Sequence, residues 1–307
     1  MEDLEAKLKT LILHQPDVHH KLAINLARHT NPAYSKELYT HIEAPDILFL
    51  VGSAALGKSL SAKLCASMSK RRYLEIELNM VPANCGQTVA CQIYDFLREA
   101  EDDVVIFLDE IGSKTKSNTN TQFWRYLYEF FNTGKLSLNK TRAAPVGIPG
   151  KITILLAGNV GQQILDSAGM KKEYLKDSKK WHKAQLEIEK ELKETLFGPQ
   201  AEVHIVSRIM KPATIIYYFA YDQEAKLDLV QHLFVDWLQQ ICQGRGVMVK
   251  FPTDFVQQMV KIWNKDHHDL RSLTAVYRKL LIDLVAATTT DKKLLIELKE
   301  RVGNLKN

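Results

Sequence analysis

Apolar positions along the chain fall into two rhythms. Leu4, Leu8, Leu11 and Ile12 recur at helical spacing, and Val18 to Ala27 repeats that spacing after Pro16, which predicts two opening helices. Asp46 to Val51 is instead a short, almost wholly apolar run between Pro45 and Gly52, and reads as a buried strand. Similar runs lie at Tyr73–Leu78, Val104–Leu108, Ile152–Leu156 and Thr214–Tyr218, with helical stretches between them at Ser59–Ser69, Thr88–Ala100, Gln122–Phe131 and Lys171–Phe197. Strands alternating with helices predict an α/β fold with a mostly parallel sheet covered on both faces. From Asp222 onward the strand signals fade. Leu227–Cys242, Pro252–Trp263, Leu270–Val285 and Lys292–Val302 all read as helices. The expected organisation is an α/β domain over residues 1–220 and a smaller helical domain over 221–307.

Composition narrows this picture only a little. Hydrophobic residues make up 46% and charged residues 25%, which excludes a disordered or fibrous chain. A balance of 41 basic against 36 acidic residues leaves +5, too weak to argue for nucleic-acid binding without a localised patch. Cys65, Cys85, Cys91 and Cys242 form no CxxC pair, so neither a zinc site nor a disulfide framework is expected. The start carries both charge signs and no apolar core, unlike a secretory signal, and no apolar run approaches the roughly 18 residues of a membrane span. The expectation is a reduced, cytoplasmic protein.

The chemistry is concentrated at two strand ends. Gly52, Ser53, Ala54, Ala55, Leu56, Gly57, Lys58 and Ser59 satisfy GxxxxGK[ST], followed by Leu60, between a predicted strand and a predicted helix. In such a loop the glycines let the backbone approach phosphate oxygens, and successive N–H groups with the helix N-terminus face the anion. Lys58 is then expected to reach the β- and γ-phosphates of ATP, and the Ser59 hydroxyl to ligate Mg²⁺. The second strand end is Val104 to Leu108, which delivers the adjacent carboxylates Asp109 and Glu110. In an open parallel sheet, ligands gather at the carboxyl ends of strands, where the phosphate loop also lies. Asp109 is the expected Mg²⁺ ligand, direct or through water, and Glu110 the expected general base for the attacking water.

Several further segments, in order along the chain, resemble AAA+ ATPases, and within them the Clp/torsin branch. Ile12-Leu-His-Gln15 resembles the opening segment that passes near the adenine, and Gly134-Lys-Leu-Ser-Leu138 the hairpin before the sensor strand. Ile154 to Gly161, Phe197-Gly-Pro-Gln200 with Ser207-Arg208-Ile209, and Asp269-Leu-Arg271-Ser-Leu273 resemble the sensor-1, arginine-finger and lid motifs. The resemblance implies a P-loop AAA+ core with a C-terminal helical lid, in a ring-like homo-oligomer of six subunits. It further implies that Asn159 orients the lytic water, that Arg208 reaches the neighbouring subunit's nucleotide, and that Arg271 touches the phosphate within its own subunit. Asp269-Leu270 stands where the lid motif has Gly-Ala.

The resemblance stops at the pore loop. Met80 to Thr88 contains no aromatic residue, and Asn84 or Cys85 stands where threading unfoldases carry a Tyr. Torsins also lack that aromatic, but this chain has an arginine at the finger position. No protease-docking tripeptide is apparent, and no amino-terminal substrate domain is expected, because the resemblance begins near residue 1. Lys171 to Lys183 carries six lysines interleaved with Tyr174 and Trp181, a pattern that suits either a solvated helix face or contact with an acidic partner or nucleic acid. Gly112–Thr121 reads as a surface loop. His19-His20 and His267-His268 point to different helix faces and make poor metal sites. Two functions fit: an ATPase that remodels or disassembles a protein partner without aromatic threading, or a nucleotide-switched scaffold or loader acting with nucleic-acid machinery.

Overall fold

The computed structural model describes residues 2–30, 44–81, 85–112, 120–138, 145–146, 151–197, 203–244, 249–251, 253–265 and 296–297. The chain divides into two compact units, Met1–Ala220 and Tyr221–Asn307.

The first unit is built on strands β1 (Asp46–Val51), β2 (Arg72–Glu77), β3 (Val104–Asp109), β4 (Ile152–Gly158) and β5 (Thr214–Tyr217). All pair in parallel, in the order β2-β3-β4-β1-β5. Phe49, Leu50 and Val51 of β1 and Val104 to Leu108 of β3 are inaccessible to solvent. Strands buried on both faces need no polar alternation, which is why they read as continuous apolar runs. Helices α1 (Glu2–Leu11), α2 (Pro16–Thr30), α3 (Lys58–Met68), α4 (Cys85–Arg98) and α5 (Asn120–Thr133) surround them. Of the hairpin expected after Gly134, Leu136 and Val146 exchange backbone hydrogen bonds of 2.8 and 2.9 Å.

The helix expected over Lys171–Phe197 is interrupted. It forms α7 (Met170–Leu175) and α8 (Lys179–Phe197), with the four-residue α6 (Gln162–Leu165) ahead of them. Between α7 and α8, Asp177 takes a left-handed φ of 49°. The Ser178 hydroxyl accepts from Trp181 N at 3.1 Å, so it caps a fresh helix. Helix α9 (Val203–Met210) precedes β5 and had no counterpart in the periodicity.

Because β5 ends the sheet, one row of its backbone groups has no neighbouring strand. An open edge of this kind invites pairing with other chains. Here it is closed by side chains from the turn between α1 and α2 and from α2 itself. Gln15 donates from Nε2 to Phe219 O and accepts from Phe219 N, both at 2.9 Å, much as a strand would. Asp17 Oδ2 accepts from Tyr217 N at 2.8 Å, and Lys21 Nζ donates to Ile215 O at 2.6 Å. The odd-numbered residues of β5 face this edge, while Tyr218 N donates inward to Val51 O at 2.9 Å. Asp17 is fully buried, yet Lys21 Nζ at 2.9 Å and Tyr174 OH at 2.8 Å complete its acceptor sites.

In the second unit Asp222 caps α10 (Gln223–Val230) by accepting from Ala225 N at 2.9 Å. That helix continues through a π-helical stretch, Gln231–Asp236, into α11 (Trp237–Gly244). Helix α12 (Phe255–Lys265) packs against α10, with Trp263 buried beside Tyr221. A short parallel pair joins β6 (Val249–Lys250) to β7 (Ile296–Glu297). At 296–297, therefore, a strand replaces the helix expected over Lys292–Val302, a correction to the all-helical reading of this unit. The helix expected at Leu270–Val285 lies outside the described residues.

Removing either edge cap leaves buried backbone groups or donors unmet. Gln15→Ala is expected to cost about 1–3 kcal/mol by orphaning Phe219 N–H and C=O, and Asp17→Ala about 3–5 kcal/mol by leaving Lys21 without its buried counter-ion. Urea denaturation of both variants checks the size and the order of the two effects.

Candidate nucleotide site

The site is built where β1, β3 and β4 end. After Val51 the chain turns at Gly52, whose φ is 134°. A Cβ there would lie 2.5 Å from Tyr218 O and 2.9 Å from Tyr218 Cβ, so the loop fits against β5 only with glycine. Leu56 is buried, and Ile12 lies against Gly57, since a Cβ there would meet its Cγ2 at 3.9 Å. The opening segment therefore does reach the phosphate loop. Its Gln15 is spent on the sheet edge.

Lys58 opens α3 and is 8% exposed. Its ammonium donates to Gly52 O at 2.5 Å, Ser53 O at 2.7 Å and Asn159 Oδ1 at 3.0 Å. These bonds account for the three donors of an ammonium and join the loop to the end of β4. The next residue, Ser59, donates from Oγ to Asp109 Oδ2 at 3.1 Å. A hydroxyl and a carboxylate so close form a donor pair of the kind Mg²⁺ takes alongside phosphate oxygens. The residues present thus fit a magnesium–nucleotide complex.

Glu110 follows with a left-handed φ of 61° and donates its N–H to Asp109 Oδ1 at 2.8 Å. For a side chain of this size that conformation costs on the order of 1–3 kcal/mol, and such strain gathers at functional sites. The chain then rejoins the sheet, Ile111 N donating to Ala157 O at 2.8 Å. That return is tight: a Cβ on Gly158 would stand 2.6 Å from Ile111 Cγ1 and 2.7 Å from Ile111 O. Gly158 thereby lets the Asp109–Glu110 turn and the Asn159 turn sit side by side.

Three residues that the motif did not indicate hold the loop. Asp166 Oδ2 accepts from Ser53 Oγ at 2.5 Å. Tyr218 OH donates to Ser61 Oγ at 2.7 Å, and Ser61 Oγ to Gly57 O at 2.9 Å, which ties the loop to β5. No local spacing signals Asp166 or Tyr218, because both arrive from distant segments.

Residues 48–175 match the family model described as ATPase family associated with various cellular activities (AAA). This stretch is an AAA domain. With the parallel sheet flanked by helices it makes the first unit an α/β P-loop AAA+ core, and it indicates an ATPase of the AAA+ type. No curated protein matches the chain. The whole phosphate loop, Asp109, Glu110 and Asn159 fall inside the matched stretch, whereas Arg208 and Arg271 follow it.

The remaining predicted residues sort as follows. Arg208, on α9, is exposed and lies over the Tyr128 ring at 5.7 Å, apart from the hydrogen bonds that join Lys58, Asn159, Ser59 and Asp109. Arg271 and Asn84 lie outside the described residues. In the pore-loop segment, Leu78–Met80 forms a single 3₁₀ turn, leaving Met80 78% exposed. The basic stretch does not present its aromatics outward. Trp181 is buried edge-on against Tyr174 and Tyr217 at 5.1 and 4.9 Å, and Tyr174 bonds Asp17, so neither ring is placed to stack on a base. His19 is buried with Nε2 against Ile12 O, and burial pushes its pKa down. Among the described residues no cluster suits a protein-held metal, and no helix is long and apolar enough to cross a membrane. Cys65 and Cys91 are free thiols, and burial pushes Cys65 up, away from reactivity.

Gly52→Ala forces the new methyl onto the Tyr218 carbonyl. It is expected to cost about 1–3 kcal/mol and to weaken ATP binding at least about tenfold, because the loop must move off β5. Thermal melting and titration with a fluorescent ATP analogue read the two effects separately.

Proposed function

We propose that the chain hydrolyses ATP in a ring of the Clp/torsin branch and uses that energy to remodel or disassemble a protein partner. One observation carries the catalytic part: Lys58, Ser59, Asp109 and Asn159, from three strand ends, form two linked contacts beside the strained Glu110. In this reading Gly52 to Leu60 wrap the phosphates. Lys58 exchanges its loop carbonyls for phosphate oxygens, and Ser59 with Asp109 holds Mg²⁺, which supplies charge neutralisation at the β- and γ-oxygens. Glu110 takes the proton of the attacking water while the Asn159 amide orients that water. The Asn159–Lys58 bond would then be the resting position of the sensor.

Arg208 is proposed to act across a subunit boundary. Its exposure suits a guanidinium offered to a neighbour, where an arginine finger is worth about 10³–10⁵ in rate. Arg271 is proposed as the lid contact within the same subunit, with 1–220 the nucleotide domain and 221–307 the lid. Remodelling without an aromatic grip is proposed from the composition of Met80 to Thr88. The inward rings of Tyr174 and Trp181 weigh against the alternative of a nucleic-acid loader. A cytoplasmic location remains part of the proposal.

Glu110→Gln is expected to bind ATP normally while turnover falls at least about 10²-fold, and Lys58→Ala to lose binding itself. Unchanged steady-state ATPase in Glu110→Gln would remove the base assignment. Mixing Arg208→Ala with Glu110→Gln should restore part of the ATPase, since some interfaces then pair an intact base with an intact finger. Full activity of Arg208→Ala at a dilution that keeps it monomeric by light scattering contradicts action in trans.

A further inference from the structure

A cleft of about 340 Å³ opens beside β5, lined by α2, α8 and the segment after α9. It lies at the small end of the range for small-molecule pockets, about 300–1,000 Å³. Its cationic side chains are Lys21, Lys193 and Lys211, against the single acid Glu189. Lys21 is already held by Asp17 and Ile215 O, and its ammonium sits 4.7 Å over the Tyr217 ring. Lys193 and Lys211 are exposed and have no ion-pair partner among the described residues.

Tyr217 belongs to the same sheet edge. The residue is 2% exposed, lines the cleft, and its buried hydroxyl donates to no acceptor among the described residues. The neighbouring amide of Gln185, 3.4 Å from Glu189 Oε1, acts on the hydroxyl as a donor and leaves that need unmet. A buried hydroxyl left unmet costs about 1–3 kcal/mol, and phenylalanine would keep the ring contact with Trp181 without that cost. A phenol is foremost a donor, so the missing partner is an acceptor. With Lys193 and Lys211 outside ion pairs among the described residues at the same cleft, and only Glu189 against them, an anionic acceptor suits it.

We propose that this cleft binds a small anion whose oxygens accept from the Tyr217 hydroxyl and from Lys193 and Lys211. Its size suits a compact phosphate ester or polycarboxylate. The site is separate from the phosphate loop and does not depend on the ATPase reading.

The test is calorimetric titration of Lys58→Ala protein with pyrophosphate and, separately, with citrate, so that the phosphate loop contributes nothing. Wild-type protein preloaded with ADP serves the same end if Lys58→Ala melts early. One site is expected for at least one anion, and which anion binds tells phosphate from carboxylate recognition. Tyr217→Phe should weaken it about tenfold with an unchanged or raised melting temperature, and Lys193→Gln with Lys211→Gln by at least a further tenfold. The proposal is overturned if neither anion binds at millimolar concentration, or if affinity ignores both sets of substitutions. It is equally overturned if Tyr217→Phe melts well below its parent, because the hydroxyl then has a partner in the free protein.

Discussion

The register between β3 and β4 decides whether a nucleotide site can form. Leu108 lies beside Leu156, and from that pairing Asp109 and Glu110 turn away on one strand and Asn159 on the other. Side chains alternate faces along a strand, so a slip of one residue would swing Asp109 to the opposite face of the sheet and shift it by about 3.3 Å. Ser59 would lose its carboxylate at once. The register is held by apolar side chains buried on both faces, from Val104 to Leu108 and from Ile154 to Ala157, none of which belongs to the site. The close approach of Ile111 to Gly158 fixes the same register from the site's own end.

A parallel sheet of this kind creates a second demand, at its margin. The strand that completes the bed for the phosphate loop, β5, is also one of the sheet's two edge strands, and Tyr218, the residue that follows it, ties it to the loop through Ser61. Gln15, Asp17 and Lys21 meet Phe219 N and O, Tyr217 N and Ile215 O along that edge. With those groups occupied, a further strand would have to displace three side chains to pair there.

Local signals carried most of this architecture. The five strands were legible because both of their faces are buried, and the phosphate loop because Gly52, Gly57, Lys58 and Ser59 must stand at fixed offsets. The adjacent carboxylates Asp109 and Glu110 became informative only when paired with that loop. What was hidden depends on contacts made far along the chain. Asp17 meets Tyr174 and Tyr217, 157 and 200 positions away, and nothing near Asp17 announces it. Asp166 and Tyr218 reach the loop in the same way. The break at Ser178 was masked because helical periodicity continues through it, and Trp181, read beside lysines, is an inward residue because α8 packs it against β5. The short strand at 296–297 lacks the length that periodicity needs.

The edge closure also sets a timetable for synthesis. Gln15 is bound to a residue 204 positions later, and the core strand β1 has both of its neighbours, β4 and β5, downstream. A ribosome adding about 5–20 residues per second takes roughly 10–40 s to cover that distance. Until β5 is made, the α1–α2 segment and one flank of β1 lack their partner strand. Nascent chains of this protein should therefore lean on holding chaperones until Phe219 has emerged, and a translational pause before β5 would prolong the exposure of the very strand that carries the phosphate loop.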